Sequence, residues 1–146
     1  MPNICEIPLN NASDDEIKHI LSTAKVIAVV GLSAKPDQKS YKVADYLKKQ
    51  RYRIIPVNPN IAETLGEKAY PDLQSIPEKI DVVDIFRKAE AVPEIVDAAI
   101  QIGAKVVWMQ EGIINNAAAD KARKAGLKVV MNKCMMKQHK SIFGEK

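Results

Sequence analysis

Five short apolar runs alternate with segments of helical periodicity along this chain, and that alternation leaves few folds open to it. The runs are Val26–Val30, Arg53–Val57, 81–85, 105–109 and 127–131. Each is too short for a helix and rich in Val or Ile, so each reads as a strand, the first buried on both faces. Ahead of them, Ser13-Asp-Asp-Glu16 is a capping-box pattern with Ile17, Ile20, Leu21 and Ala24 at helical spacing behind it, which predicts a helix over Asp14–Thr23. Ser40 is expected to cap a second helix with Val43, Ala44 and Leu47 inward, ending near Gln50. Pro93 opens a third, with Val92, Ile95, Val96 and Ala99 on one face and Gly103 just past its end. Asn115 or Asn116 caps an alanine-rich fourth that stops at Gly126, and a short helix starts near Met135. From Asn58 to Lys79 the chain reads as irregular, punctuated by Gly66, Pro71 and Pro77, with a short strand at 68–70. Parallel strands joined by helical crossovers make an α/β, doubly wound, mostly parallel sheet. With 146 residues the chain is expected to be a single domain, residues 1–13 forming a loose N-terminal extension.

Composition narrows the functional classes. Hydrophobic residues make up 47% and charged residues 27%, ordinary for a globular protein, and no apolar run approaches a membrane span. The N-terminus lacks the basic and long apolar stretches of a secretory signal. Cys5 and Cys134 stand far apart without metal-ligand spacing, so a reduced, cytoplasmic setting is the expectation. The net charge of +4 suits a polyanionic small molecule, and a merely solubilising surface accounts for it as well. Basic clusters interleaved with aromatics are missing, which argues against nucleic acid.

In a doubly wound sheet, ligands sit outside the carboxyl ends of the strands beside the switch point. The strand exits are therefore where chemistry is sought. At the first, Gly31 lets the backbone turn sharply, Ser33 and Ser40 offer hydroxyls, and Lys35 or Lys39 can neutralise a phosphate. An ordinary strand-to-helix turn has the same residues, and the spacing alone leaves both readings open. The second and third glycines of G-x-G-x-x-G are missing. At the second exit Asn58, between Pro56 and Pro59, stands where a dinucleotide site needs an acid, so NAD is disfavoured. Phe86, Arg87 and Lys88 follow the third strand, offering a flat surface and two cations; core packing is the plainer role for Phe86. Gln110, Glu111 and Gly112 follow the fourth. Cys134 follows the last, beside Lys133 and a helix start, a setting that lowers a thiol pKa, although isolated cysteines are more often buried and inert. His139 lacks a partner at ligand spacing, so no metal is expected and a surface histidine is the better reading.

At these exits the sequence resembles the small stand-alone CoA-binding proteins, similar to the CoA-binding domain of the succinyl-CoA synthetase α subunit. The resemblance spans about residues 14 to 141. It is carried by Val30-Gly31-Leu32-Ser33 with Pro36, Pro56-Val57-Asn58-Pro59, Val83-Asp84-Ile85-Phe86-Arg87, Val107-Trp108-Met109-Gln110-Glu111-Gly112, and the run from Asn132 to His139. It implies a Rossmann-like fold of CoA-binding type and coenzyme A as cofactor. By the same resemblance, Gly31, Ser33, Lys35, Ser40 and Tyr41 would contact phosphates and ribose, with Asn58 and Pro59 beside the nucleotide. Phe86 and Arg87 would flank the pyrophosphate and pantetheine. Met109, Gln110 and Gly112 would line a pantetheine channel whose thiol end points towards Cys134. Two positions depart from the family pattern: Leu32 stands where Ala often precedes the serine, and Gln138-His139 replaces an acid–His pair.

The implied function is binding of CoA or acyl-CoA as a carrier, sensor or non-catalytic subunit, with a protein partner or homo-oligomer possible. No catalytic constellation is legible, and the phosphohistidine domain of the synthetases has no counterpart in this length. A second reading is exchange or acyl transfer at the Cys134 thiol, which needs an accessible thiolate. The alternative from another class is an NAD(P)-dependent oxidoreductase or nicotinamide sensor on the same fold.

Overall fold

Strand β1 (Val26–Val30) pairs with β2 (Arg53–Val57) on one side and with β5 (Val82–Ile85) on the other, and the sheet continues through β6 (Val106–Met109) to β7 (Lys128–Val130). The order is β2-β1-β5-β6-β7, all parallel, in a computed structural model that describes residues 7–144. Helices α1 (Asp14–Thr23), α2 (Lys39–Lys49), α3 (Val92–Gln101), α4 (Asn116–Lys124) and α5 (Met135–Phe143) cover both faces. Because successive strand side chains point to opposite faces, each strand feeds two cores. Ala28, Val30, Val83, Ile85, Val107 and Met109 pack with α3 and α4. Ile27, Val29, Val82, Val106 and Trp108 pack with α1, α2 and α5. The chain order reverses direction between β1 and β5, which is the switch point.

Local chemistry explains the element ends. Ser13 accepts from the Glu16 N–H and Glu16 returns a bond to the Ser13 N–H, both at 3.2 Å, completing the capping box of α1. Asn115, rather than Asn116, caps α4, its Oδ1 accepting from the Ala118 N–H at 3.0 Å. Pro93 sits in the first turn of α3, where its missing N–H is harmless.

Three expectations are corrected. Ser40 does not cap α2; the helix starts at Lys39 behind Gln38, which makes no side-chain cap bond. Ser40 lies buried inside the first turn, and its Oγ accepts from the Ser33 N–H at 3.0 Å. The hydroxyl is taken by the preceding loop. The segment from 58 to 79 is less irregular than its composition implies. Strands β3 (Glu63–Thr64) and β4 (Glu67–Lys68) form a hairpin whose two turn residues, Leu65 and Gly66, both have positive φ, as a two-residue primed turn requires. Tyr70 then bridges to Val57, and a 3-10 turn at Leu73–Ser75 is capped by Asp72. Finally, His139 is buried, not a surface residue: its Nδ1 lies 2.8 Å from the Tyr46 hydroxyl and its ring meets Tyr52 and Phe143. Aromatic packing of α5 against α2 draws it in.

Within the expected N-terminal extension, Asn11 exchanges two hydrogen bonds with the Met131 backbone, and Arg123 donates to the Leu9 and Asn10 carbonyls. Cys5 lies outside the described residues. Among those described, no helix is long and apolar enough to cross a membrane, and no group of three His, Cys, Asp or Glu is placed to hold a metal ion.

Candidate functional site

The carboxyl ends of β1, β2 and β5 meet around Gly31. Its N–H donates to the Val57 carbonyl at 2.9 Å, and the Phe86 N–H donates to Val30 at 2.8 Å, so three exits are tied at one point. Gly31 has φ +89°, and a Cβ there would stand 2.6 Å from the Phe86 carbonyl oxygen. Only glycine fits. The loop that follows is held internally: Ser40 anchors the Ser33 N–H, Ser33 Oγ accepts from the Lys35 N–H at 3.0 Å, and Thr64 donates to the Ser33 carbonyl at 3.1 Å. Asn58 donates from its amide to the Leu32 carbonyl at 3.0 Å and accepts from the Asn60 N–H at 2.9 Å. Its side chain shapes the junction of two loops.

Two clefts flank this point. The first, about 720 Å³, is lined by Gly31, Asn58, Pro59, Asp72, Gln74, Arg87 and Glu94 among others. The second, about 430 Å³, is lined by Lys39, Phe86, Arg87, Gln110, Glu111 and Gly112 among others. Arg87 is exposed and belongs to both. A third depression, about 460 Å³, lies at the opposite end of the sheet against Asp81, Lys105 and Lys128.

The sequence-selected residues thus divide. Gly31, Asn58, Pro59, Phe86, Arg87, Gln110 and Gly112 are brought to the clefts. Ser33 and Ser40 build the loop between them. Lys35, exposed, and Tyr41, half-buried, line neither cleft. Met109 is fully buried in the α3–α4 core, and Cys134 is buried at 1% exposure in the other. Thiol exchange at Cys134 would therefore need α5 to move first.

The electrostatics at the second cleft were not foreseen. Glu111 meets Lys39 at 2.6 Å and Lys137 at 3.1 Å, and these two cations hold its carboxyl below the ordinary range. Behind them lies a fully buried acid. Asp84 sits in β5 between Val29 of β1 and Trp108 of β6, and its Oδ1 accepts from Nε2 of the equally buried Gln110. Burial pushes its pKa up to about 7, only partly opposed by that bond. Asp84 Oδ2 and Gln110 Oε1 have no partner. A charged residue inside an otherwise apolar central strand was the available signal. The polar residues Asp72, Gln74 and Glu94 were missed because the linker and α3 gave no hint that they reach the β1 exit.

A model of the CoA-binding domain family matches residues 25–140. This chain belongs to that family. It is 40% identical over 131 residues to the uncharacterized protein YneT of Bacillus subtilis, covering 90% of this chain and 97% of YneT. A solved hypothetical protein from Pyrococcus horikoshii superimposes with a TM-score of 0.90 at 43% identity, over 99% of this chain and all of that one. The acetate–CoA ligase (ADP-forming) II of Archaeoglobus fulgidus is 34% identical over 83 residues, 56% of this chain. The match spans only 12% of that ligase. The Rossmann-like CoA-binding fold expected from the sequence is the fold of the Pyrococcus horikoshii protein.

Proposed function

We propose that the protein binds coenzyme A or acyl-CoA across the carboxyl ends of its sheet, in the cytoplasm, as a carrier, sensor or non-catalytic subunit. The observation that carries this reading is that two clefts meet at Arg87 beside the Gly31 loop. Such a shape suits a long ligand with an anionic middle. The nucleotide end would occupy the first cleft, with Asp72 and Gln74 added to the expected Asn58 and Pro59. The pyrophosphate would lie over Gly31 and Arg87, and the pantetheine arm would run along Phe86, Gln110 and Gly112. Backbone approach at Gly31 and the guanidinium at Arg87 are the two contacts an anion needs there. Family membership supports the ligand class, and the ligase relatives, in which such a domain is a small part, support a role beside a catalytic partner.

The NAD reading is weaker, because Asn58 stands where a dinucleotide site needs an acid and the dinucleotide glycines are missing. Calorimetric titration with CoA and with NAD⁺ and NADH tests the choice. Binding of CoA alone is expected, weakened roughly 10- to 100-fold by Arg87→Ala, the range of a lost charge-assisted contact. A preference for the nicotinamide cofactors, or CoA affinity indifferent to Arg87, would overturn the reading.

A further inference from the structure

Asp84 and Gln110 pose a problem of hydrogen-bond satisfaction. Both side chains are buried, at 0% and 1% exposure, and one bond joins them, Gln110 Nε2–H to Asp84 Oδ1. That leaves one oxygen on each residue without a partner. Two acceptor oxygens left over on adjoining buried groups are desolvated without compensation. A single proton removes the conflict, since a protonated carboxyl gains one O–H donor while keeping its acceptor.

We propose that Asp84 is held as a neutral acid whose proton closes a two-bond acid–amide pair with Gln110, Oδ2–H to Oε1 beside Nε2–H to Oδ1, making Asp84 a positioning residue for Gln110 in the wall of the second cleft. The surroundings favour it. Asp84 has Val29 and Trp108 as register neighbours, and its face of the sheet packs into a layer whose titratable members include the Cys134 thiol, the Tyr52 and Tyr46 phenols and the His139 imidazole, the last bonded to the Tyr46 hydroxyl. Of the charged groups closest along the chain and at the cleft, Arg87, Lys88, Lys39 and Glu111 are exposed, and the half-buried Asp81, at the other end of β5, accepts from the Lys25 and Val26 N–H groups. Burial and the Gln110 bond, with no contribution from a neighbouring charge, set the titration. Gln110 opens the turn that leads to Glu111 and Gly112: its carbonyl accepts from the Ile113 N–H at 2.9 Å. An amide locked at both ends fixes where that turn leaves the sheet. When Asp84 ionises, the Oδ2–H bond is lost and a charge is left in the layer, so the turn loosens and the cleft with it.

The consequence for ligand affinity rests on the CoA reading; the protonation itself does not. The test uses the whole protein with ¹³C-carboxyl aspartate, following carboxyl shifts from pH 5 to 9, with Asp84→Asn assigning the resonance. One aspartyl signal in the acid form at pH 6, titrating near neutrality and missing from the variant, is expected. A carboxylate signal for Asp84 at pH 5.5 would overturn the proposal. Should the variant fail to fold, the infrared carbonyl band of a neutral acid in the wild type, shifted by the label, reports the same proton. Asparagine reproduces the pair without titrating, so the ratio of wild-type to Asp84→Asn affinity for CoA should fall up to about tenfold between pH 6 and 8, CoA's own ionisation cancelling in the ratio. A flat ratio with CoA bound would end the positioning role. If neither protein binds CoA while the acid signal is present, the CoA reading fails and takes the positioning role with it, and the acid–amide pair stands.

Discussion

Gly31 and Asp84 make opposite demands on their positions, one of backbone and one of charge. At Gly31 a side chain would meet both a left-handed backbone and the Phe86 carbonyl oxygen at 2.6 Å. Gly31→Ala should therefore cost on the order of 1–3 kcal/mol or more in urea unfolding, together with ligand affinity. A variant as stable as the wild type would show that the β1 exit has room to shift. At Asp84 the sign of the pH effect is set by the raised pKa. Between the unfolded value, near 4, and about 7 the folded state keeps a proton that the unfolded chain releases. Stability from this residue is thus full below pH 4, falls as pH rises to about 7, and is flat above. Glu67, Glu78, Asp81 and Glu111 have lowered pKa values, so their contributions run the other way and are lost as pH falls. Comparison with Asp84→Asn isolates the one acid: the variant should gain on the wild type through that window, on the order of 4 kcal/mol at most. Parallel stability curves for the two proteins from pH 4 to 8 would contradict the assignment.

At the scale of elements, the loops at the strand exits are held by side chains that cap or clamp rather than by regular structure. Asn115 illustrates the capping case. It satisfies the Ala118 N–H and also donates to the Ala89 carbonyl at 3.1 Å, joining α4 to the 3-10 turn before α3. Asn115→Ala should lose about 1–2 kcal/mol, with faster amide exchange confined to the first turn of α4. Unchanged exchange there would mean that packing of Ala118 and Ala119 holds the turn unaided. Ser40 illustrates the clamp. Ser40→Ala leaves the Ser33 N–H without its partner, so exchange should rise across 32–36 while the rest of α2 keeps its protection. Protection lost along the whole helix would show instead that Ser40 matters to the packing of α2.

For the whole molecule, the prediction concerns charge. The chain carries +4, the two clefts share Arg87, and the second is also lined by Lys39 and Lys88. CoA affinity should therefore weaken as salt rises from about 0.05 to about 0.5 M, since the screening length of surface potentials shrinks from roughly 14 Å to roughly 4 Å over that range. Affinity insensitive to salt would point to binding through apolar contacts away from Arg87. Much of the architecture could be read from the chain because both periodicities were strong. Five short apolar runs and a capping box fix the strands and α1 locally, and right-handed crossovers leave little freedom in how they assemble. The strand exits follow from that topology, and Gly31, Asn58, Phe86, Arg87, Gln110 and Gly112 at those exits line the two clefts. The distinctions made within those exits depended on neighbours distant in sequence. Ser40 looks like a cap until Ser33 claims its hydroxyl, and Met109 and Cys134 look like cleft residues until the sheet turns them into its two cores. Asp72 and Gln74 reach the first cleft because the linker after β2 returns beside β1, and Glu94 because α3 follows the neighbouring β5 exit. Asp84 stands out in sequence as a charge within an apolar strand, but its proton is decided by burial between two strands and by the Gln110 amide, because pairing and desolvation are properties of surroundings that no local run of residues contains.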